Sequence, residues 1–122
     1  MNQKIKEEWL KRLRSGEYQQ TDSVLYDGCN GYCCLGVLTQ IYIDQCGGEW
    51  YGHTGNMGLL QENNIEHSVH FVLSKHVLSW AEIDNISAGI CLTINSIDTS
   101  LTELNDNGTN FCDIADIIEE YM

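Results

Sequence analysis

The last fourteen residues, TNFCDIADIIEEYM, leave the chain the least conformational choice. Phe111, Ile114, Ile117, Ile118 and Tyr121 recur at steps of three and four, so a helix gathers them into one apolar stripe to be buried. Asn110 offers a side-chain cap, and Asp113 three positions on completes a capping-box-like start. Asp113 and Asp116 favour the positive end of the helix dipole. The opposite terminus reads in the same way. Over residues 3–15, Ile5, Trp9 and Leu13 lie four apart, Leu10 widens the stripe, and Gly16 suits the position past a helix end.

A third helix is expected in the middle. From Cys33 to Gln45 the apolar residues Cys34, Val37, Leu38, Ile41 and Tyr42 fit helical spacing, and Gly47-Gly48 ends the run. Before it, Ser23 to Tyr26 has strand character, followed by two turn signals, Asp27-Gly28 and Asn30-Gly31. Residues 48–64 are glycine-rich and suggest a short strand within loops. Weak alternation over residues 67–73 suggests a strand, and Ser74 to Trp80 one or two helical turns. Ile86 to Ile94 has the β-branched content of a core strand. Ile97, Leu101 and Leu104 then form a short helix, stopped by Asn107-Gly108. The expected fold is α+β: one small domain over residues 1–122, with terminal amphipathic helices, a central buried helix and a small sheet.

A chain of 122 residues that is 43% apolar buries about two-thirds of its unfolded surface without a metal or disulfide staple. No apolar run reaches the ~20 residues of a bilayer span, and MNQKIKEEWLKRLRSG lacks the apolar core of a signal peptide. The expectation is a soluble protein of the cytoplasm with no membrane partner. There, the six cysteines are expected as thiols, and adjacent Cys33 and Cys34 could hardly pair with each other.

Charge narrows the functional classes. The net charge is −12; five bases and two acids in the first fourteen residues leave +3 there and −15 in the remainder. Such a body disfavours non-specific binding to nucleic-acid phosphates. It fits a merely soluble surface, a binder of basic surfaces, or a mimic of nucleic-acid charge.

Three stretches, WLKRLRSGEYQQ (9–20), GYCCLGVL (31–38) and LTELNDNGTNFCDIADIIE (101–119), resemble a family of small uncharacterised proteins encoded mostly by tailed phages and prophages. Its members pair a Trp-x-x-x-Leu-Arg-Ser-Gly-x-Tyr-x-Gln opening with a Tyr-Cys-Cys-Leu-Gly-Val-Leu centre. They close on Leu-Asn-Asp-x-Gly-x-x-Phe-x-x-Ile-Ala-x-x-Ile. Residues 43–96 match poorly. The resemblance implies a phage accessory protein that redirects or blunts a host system, antiviral defence included. It carries over no catalytic residue and no cofactor.

Several residues invite a chemical role. Cys29, Cys33 and Cys34, with Cys46 and His53 nearby, supply soft ligands, yet the paired C-x-x-C spacing of zinc sites is missing and no metal is expected. Cys34 at a helix start would be an activated thiol if a histidine served it as base; His53 and His70 are the partners considered, with His67 and His76 also downstream. Asn105-Asp106-Asn107-Gly108 lacks the alternating ligands of a calcium loop and reads as a helix stop. Trp50 and Tyr51, on a glycine-rich loop, could stack on a base, fill a partner's pocket or simply cap the core. Arg12 and Arg14, beside Tyr18, could hold an anion such as a phosphate or line an exposed helix face.

The resulting expectation is a non-enzymatic phage accessory protein that binds and neutralises a host component. The host component is a defence protein or its small nucleotide signal, and self-association is allowed. The alternatives are a Cys-His thiol hydrolase and an acidic nucleic-acid mimic.

Overall fold

The computed structural model describes residues 1–61, 64–65, 73–84 and 89–122. The protein is a small α+β domain in which short sheets and hairpins surround a central helix. Helix α1 (Gln3–Arg14) starts at Asn2, whose side-chain oxygen accepts the Ile5 N–H at 3.1 Å, and it buries Ile5, Trp9, Leu10 and Leu13. A short strand, β1 (Gln19–Gln20), pairs in parallel with β2 (Gly31–Tyr32). Helix α2 (Cys34–Cys46) follows, capped at its start by Cys33, whose sulfur accepts the Gly36 N–H at 3.4 Å.

Strands β3 (Glu49–His53) and β4 (Asn56–Gln61) form an antiparallel hairpin, extended by β5 (Asn64–Ile65). Helix α3 (Lys75–Trp80) is capped by Ser74, whose hydroxyl accepts the Val77 N–H. A second hairpin, β6 (Cys91–Ile94) and β7 (Ile97–Ser100), leads into α4 (Leu101–Asp106), and α5 (Phe111–Tyr121) closes the domain.

The two terminal helices pack together, and α1 also packs on α2. Asn110 caps α5 as its sequence suggests, accepting the Asp113 N–H at 2.9 Å. The α5 stripe is narrower than expected. Phe111, Ile114, Ala115 and Ile118 are buried, Ile117 is half-buried, and Tyr121 lies on the exposed side.

Helix α2 is the core. Cys34 through Thr39, with Ile41 and Tyr42, are all buried, so its first half meets protein on every side rather than along one stripe. The approach is closest at Gly36, where an added Cβ would stand 1.8 Å from the Leu25 carbonyl oxygen. Only glycine lets that strand of loop pass.

Four local expectations need correction. Ser23 to Tyr26 does not form a strand: Ser23 turns to φ +65°, its N–H bound by the Asp106 carboxylate, and only Tyr26 makes bridges, to Tyr32 and to Met57. Those bridges join the β1–β2 pair to the β3–β4 hairpin. Residues 48–64 contain more strand than foreseen.

Of the expected core strand over 86–94, the described residues 89–94 form strand only from Cys91 onward, and the exposed Cys91 and Thr93 make that part a surface hairpin. Ile97 belongs to β7 and is 67% exposed, because the Ser100 hydroxyl accepts the Glu103 N–H and starts α4 at Leu101. Except for Leu73, the expected strand over 67–73 lies outside the described residues, as do residues 86–88. No described helix is long and apolar enough to cross a membrane.

Candidate functional site

Four aromatic rings from four different segments meet on one side of α2. Tyr18 comes from the turn after α1, Tyr26 from the loop before β2, Tyr32 from β2 and Trp50 from β3. Tyr26 stacks on Tyr32 with centroids 4.5 Å apart and planes 17° apart. Tyr18 meets Tyr32 edge-on at 5.0 Å, and Trp50 lies 5.0 Å from Tyr26 and 6.3 Å from Tyr32. Offset and edge-on pairs of this kind each add about 0.5–1.5 kcal/mol beyond area burial. All four rings are only half-buried, so the cluster presents ring surface to solvent.

A polar chain runs behind the rings and closes on them. Trp50 Nε1 donates to Gln40 Oε1 at 2.8 Å, and the Tyr32 hydroxyl reaches the same oxygen at 3.5 Å. Gln40 Nε2 donates to Asp44 at 2.9 Å, Asp44 accepts from Arg12 at 2.7 Å, and Arg12 donates to the Tyr18 hydroxyl at 3.1 Å. Arg12 also pairs with Glu8 at 2.9 Å. Burial works against the Arg12 charge, but its bonds to Asp44, Glu8 and Tyr18 outweigh that and raise its pKa. Burial likewise pushes the Tyr32 phenol up to about 12, so it stays neutral. The network links Tyr18, Tyr32 and Trp50 through Arg12, Asp44 and Gln40 and so holds the orientation of the rings.

The residues singled out from the sequence fall in different places. Trp50 joins the quartet, whereas Tyr51, its neighbour along β3, is 52% exposed. Arg12 is built into the polar chain. Arg14 bonds Asp116 at 2.8 Å and Glu119 at 2.9 Å, tying α1 to α5.

Cys34 is fully buried, with its sulfur 3.7 Å from the Leu101 carbonyl oxygen, and burial raises its pKa well above the ordinary thiol value. His53 is exposed at the end of β3, and His76 is exposed on α3. His67 and His70 lie outside the described residues. No group of three metal-binding side chains occurs among the described residues.

Tyr26, Tyr32, Gln40 and Asp44 were not foreseen as one site. They lie in separate segments, and no spacing in the sequence announces that these segments converge.

The three familiar stretches also meet, at the peptide units around Cys34. The Cys34 N–H donates to Asn105 Oδ1 at 3.0 Å, and the Cys34 carbonyl accepts from Trp9 Nε1 at 3.0 Å. Asn105 is 2% exposed; its amide donates to the Thr21 carbonyl at 2.8 Å, and its oxygen also accepts from Gln20 at 3.1 Å. Gln20 in turn bonds the Thr109 carbonyl at 2.7 Å. Each stretch therefore supplies a side chain or backbone group to one buried hub.

Together, fold and site define a small α+β scaffold carrying a half-buried aromatic cluster on its surface. The chain belongs to the family described as Domain of unknown function (DUF8296), which matches residues 1–122. No curated protein and no solved structure matches it.

Proposed function

We propose that this protein is a non-enzymatic binding factor that docks on a basic protein partner through the face formed by Tyr18, Tyr26, Tyr32 and Trp50. Given the resemblance to phage and prophage proteins, the partner is a host component, such as a defence protein, and the encounter takes place in the host cytoplasm. The observation that carries the reading is the half-buried aromatic quartet, rigidified from behind by Gln40, Asp44 and Arg12. Pre-ordered tyrosine and tryptophan surface is the common energetic centre of protein interfaces. The net charge of −12 adds steering toward a basic surface.

A protein partner is favoured over a nucleotide signal. Arg12 and Arg14 are both occupied by carboxylates, and a phosphate would have to displace Asp44 or Asp116 to reach them. Burial of the Cys34 thiol weighs against the hydrolase reading, since a substrate has no path to it.

The test is co-purification from a host that carries the related phages, comparing the wild type with Trp50→Ala and Tyr26→Ala. Each variant first has to retain the wild-type circular dichroism spectrum. A partner held by the wild type should be lost from both variants, with affinity falling about 30-fold or more as for an interface hot spot. Undiminished capture by both variants overturns the proposed face, and no captured partner at any salt concentration overturns the binding reading.

A further inference from the structure

The β6–β7 hairpin is hard to explain as core structure. Along β6 exposed and half-buried side chains alternate, in β7 Ile97 and Asp98 are exposed while Thr99 and Ser100 are half-buried, and Ile97 at the tip is 67% exposed. Its turn, Asn95-Ser96, has both residues left-handed at φ 51° and 66°, as a two-residue hairpin requires. Ile94 and Ile97 close that turn as a hydrogen-bonded pair, so Leu92 with Thr99 form the next one and Thr93 with Asp98 face each other without ladder bonds. The Asp98 N–H and C=O, and the Ser100 N–H, therefore point away from β6. Among the described residues, none of these three groups has another backbone partner.

Two carboxylates flank this strand, Asp98 within β7 and Glu103 on α4 just after it. Thr93 donates its hydroxyl to Asp98 at 2.8 Å, and Thr99 donates to Glu103 at 3.1 Å. Each carboxylate is thus oriented while keeping acceptor capacity, and neither has a cation within 4.0 Å among the described residues. Thr93, Asp98, Thr99, Ser100 and Glu103 line a shallow cleft of about 620 Å³ that runs along the hairpin.

We infer that the outer edge of β7 receives an extended basic segment of another protein, which adds to the hairpin as a third strand. Its backbone pairs with Asp98 and Ser100, and its lysine or arginine side chains meet Asp98 and Glu103. Strand addition suits an open edge, because main-chain bonds supply affinity and alternate side chains supply specificity. A second copy of this chain is a poor occupant, since its body would bring −15 against −15. The edge is separate from the aromatic quartet, so either reading can fail without the other.

The experiment is a titration of the ¹⁵N-labelled protein with a blocked peptide of alternating valine and lysine. Amide shifts should centre on Asp98 and Ser100 and spare Tyr26 and Trp50. The same peptide N-methylated at every residue keeps its charge but cannot form a ladder, and it should not bind. The double variant Asp98→Asn with Glu103→Gln, both at exposed positions, should weaken binding about tenfold.

Equal binding of the methylated peptide would overturn strand addition in favour of simple charge attraction. Shifts centred on the quartet would overturn the location. No binding would leave Asp98 as a guard against edge pairing, and peptide-independent dimerisation through the same amides would make the occupant a second copy. Either result refutes the proposal.

Discussion

Replacing Asn105 by alanine should be among the most damaging single changes that add no atoms. The side chain accepts from the Cys34 N–H and from Gln20, and it donates to the Thr21 carbonyl. Gln20 keeps its bond to Thr109, but the Cys34 N–H and Thr21 carbonyl lose this partner in a site where Asn105 is 2% exposed. Each orphaned buried group costs about 1–3 kcal/mol, which puts the combined loss at about 3–4 kcal/mol. For a domain of this size that lowers Tm by about 10–15 °C.

Urea unfolding measures the loss directly, with the slope m expected unchanged and the midpoint shifted. Asn105→Asp is a sharper companion, because it keeps the acceptor, loses the donor to Thr21 and introduces a charge. It should be no better than alanine at neutral pH and should partly recover as acid protonates the new carboxyl. A loss below about 1 kcal/mol for Asn105→Ala, at unchanged m, would refute the hub, since even one orphaned buried group costs that much.

Five further outcomes are expected. Gly36→Ala brings a methyl group to 1.8 Å from the Leu25 carbonyl oxygen, which itself accepts the Cys33 N–H at 3.1 Å; the variant should lose more than about 3 kcal/mol or fail to fold, as read by urea unfolding. Iodoacetamide mapping of the native protein should label the exposed Cys29, Cys46, Cys91 and Cys112 and spare Cys33 and Cys34. Burial holds the Cys33 thiol at about 11 against an ordinary 9.0, so the unfolded chain releases its proton first, and stability should fall as pH rises across that window. Arg14→Ala, which loses partners that are 70% and 61% exposed, should cost less than about 1 kcal/mol in thermal unfolding. Arg12→Ala opens the chain that links Tyr18 to Trp50 and should cost about twice as much.

What the sequence made legible was periodic. The stripes of α1 and α5, the Asn110 cap of α5, and the glycine stops of α1 and α2 depend on neighbours within about one helical turn. The surface hairpin was misread because Ile94 and Ile97 carry strong apolar weight, while the left-handed Asn95-Ser96 turn between them lacks the usual glycine. The spacing also puts Tyr121 on the buried stripe, yet it is 37% exposed at the end of α5, and Ala115 is buried instead. The aromatic quartet could not be read at all. Its rings come from residues 18, 26, 32 and 50, brought together by β1–β2 pairing and by the single bridges of Tyr26. Such pairings are decided by tertiary packing and leave no local signature.

The run GYCCLGVL shows how closely scaffold and surface are joined here. Within six residues the chain turns Tyr32 outward onto Tyr26, spends Cys33 on a helix cap, clamps both sides of Cys34 and threads Gly36 past Leu25. The cysteines are therefore packing and capping groups, and the one outward-facing large side chain of that stretch is the tyrosine. Tyr18 and Tyr32 come from the stretches that build the hub, whereas Tyr26 and Trp50 come from outside them. Loosening Asn105 frees the Cys34 N–H two residues from Tyr32 and removes Gln20's bond two residues from Tyr18. The ring geometry should then relax before the domain unfolds, so partner affinity in Asn105→Ala should fall at temperatures where circular dichroism is still native. If affinity instead tracks the folded fraction alone, the hub supports the fold without tuning the face.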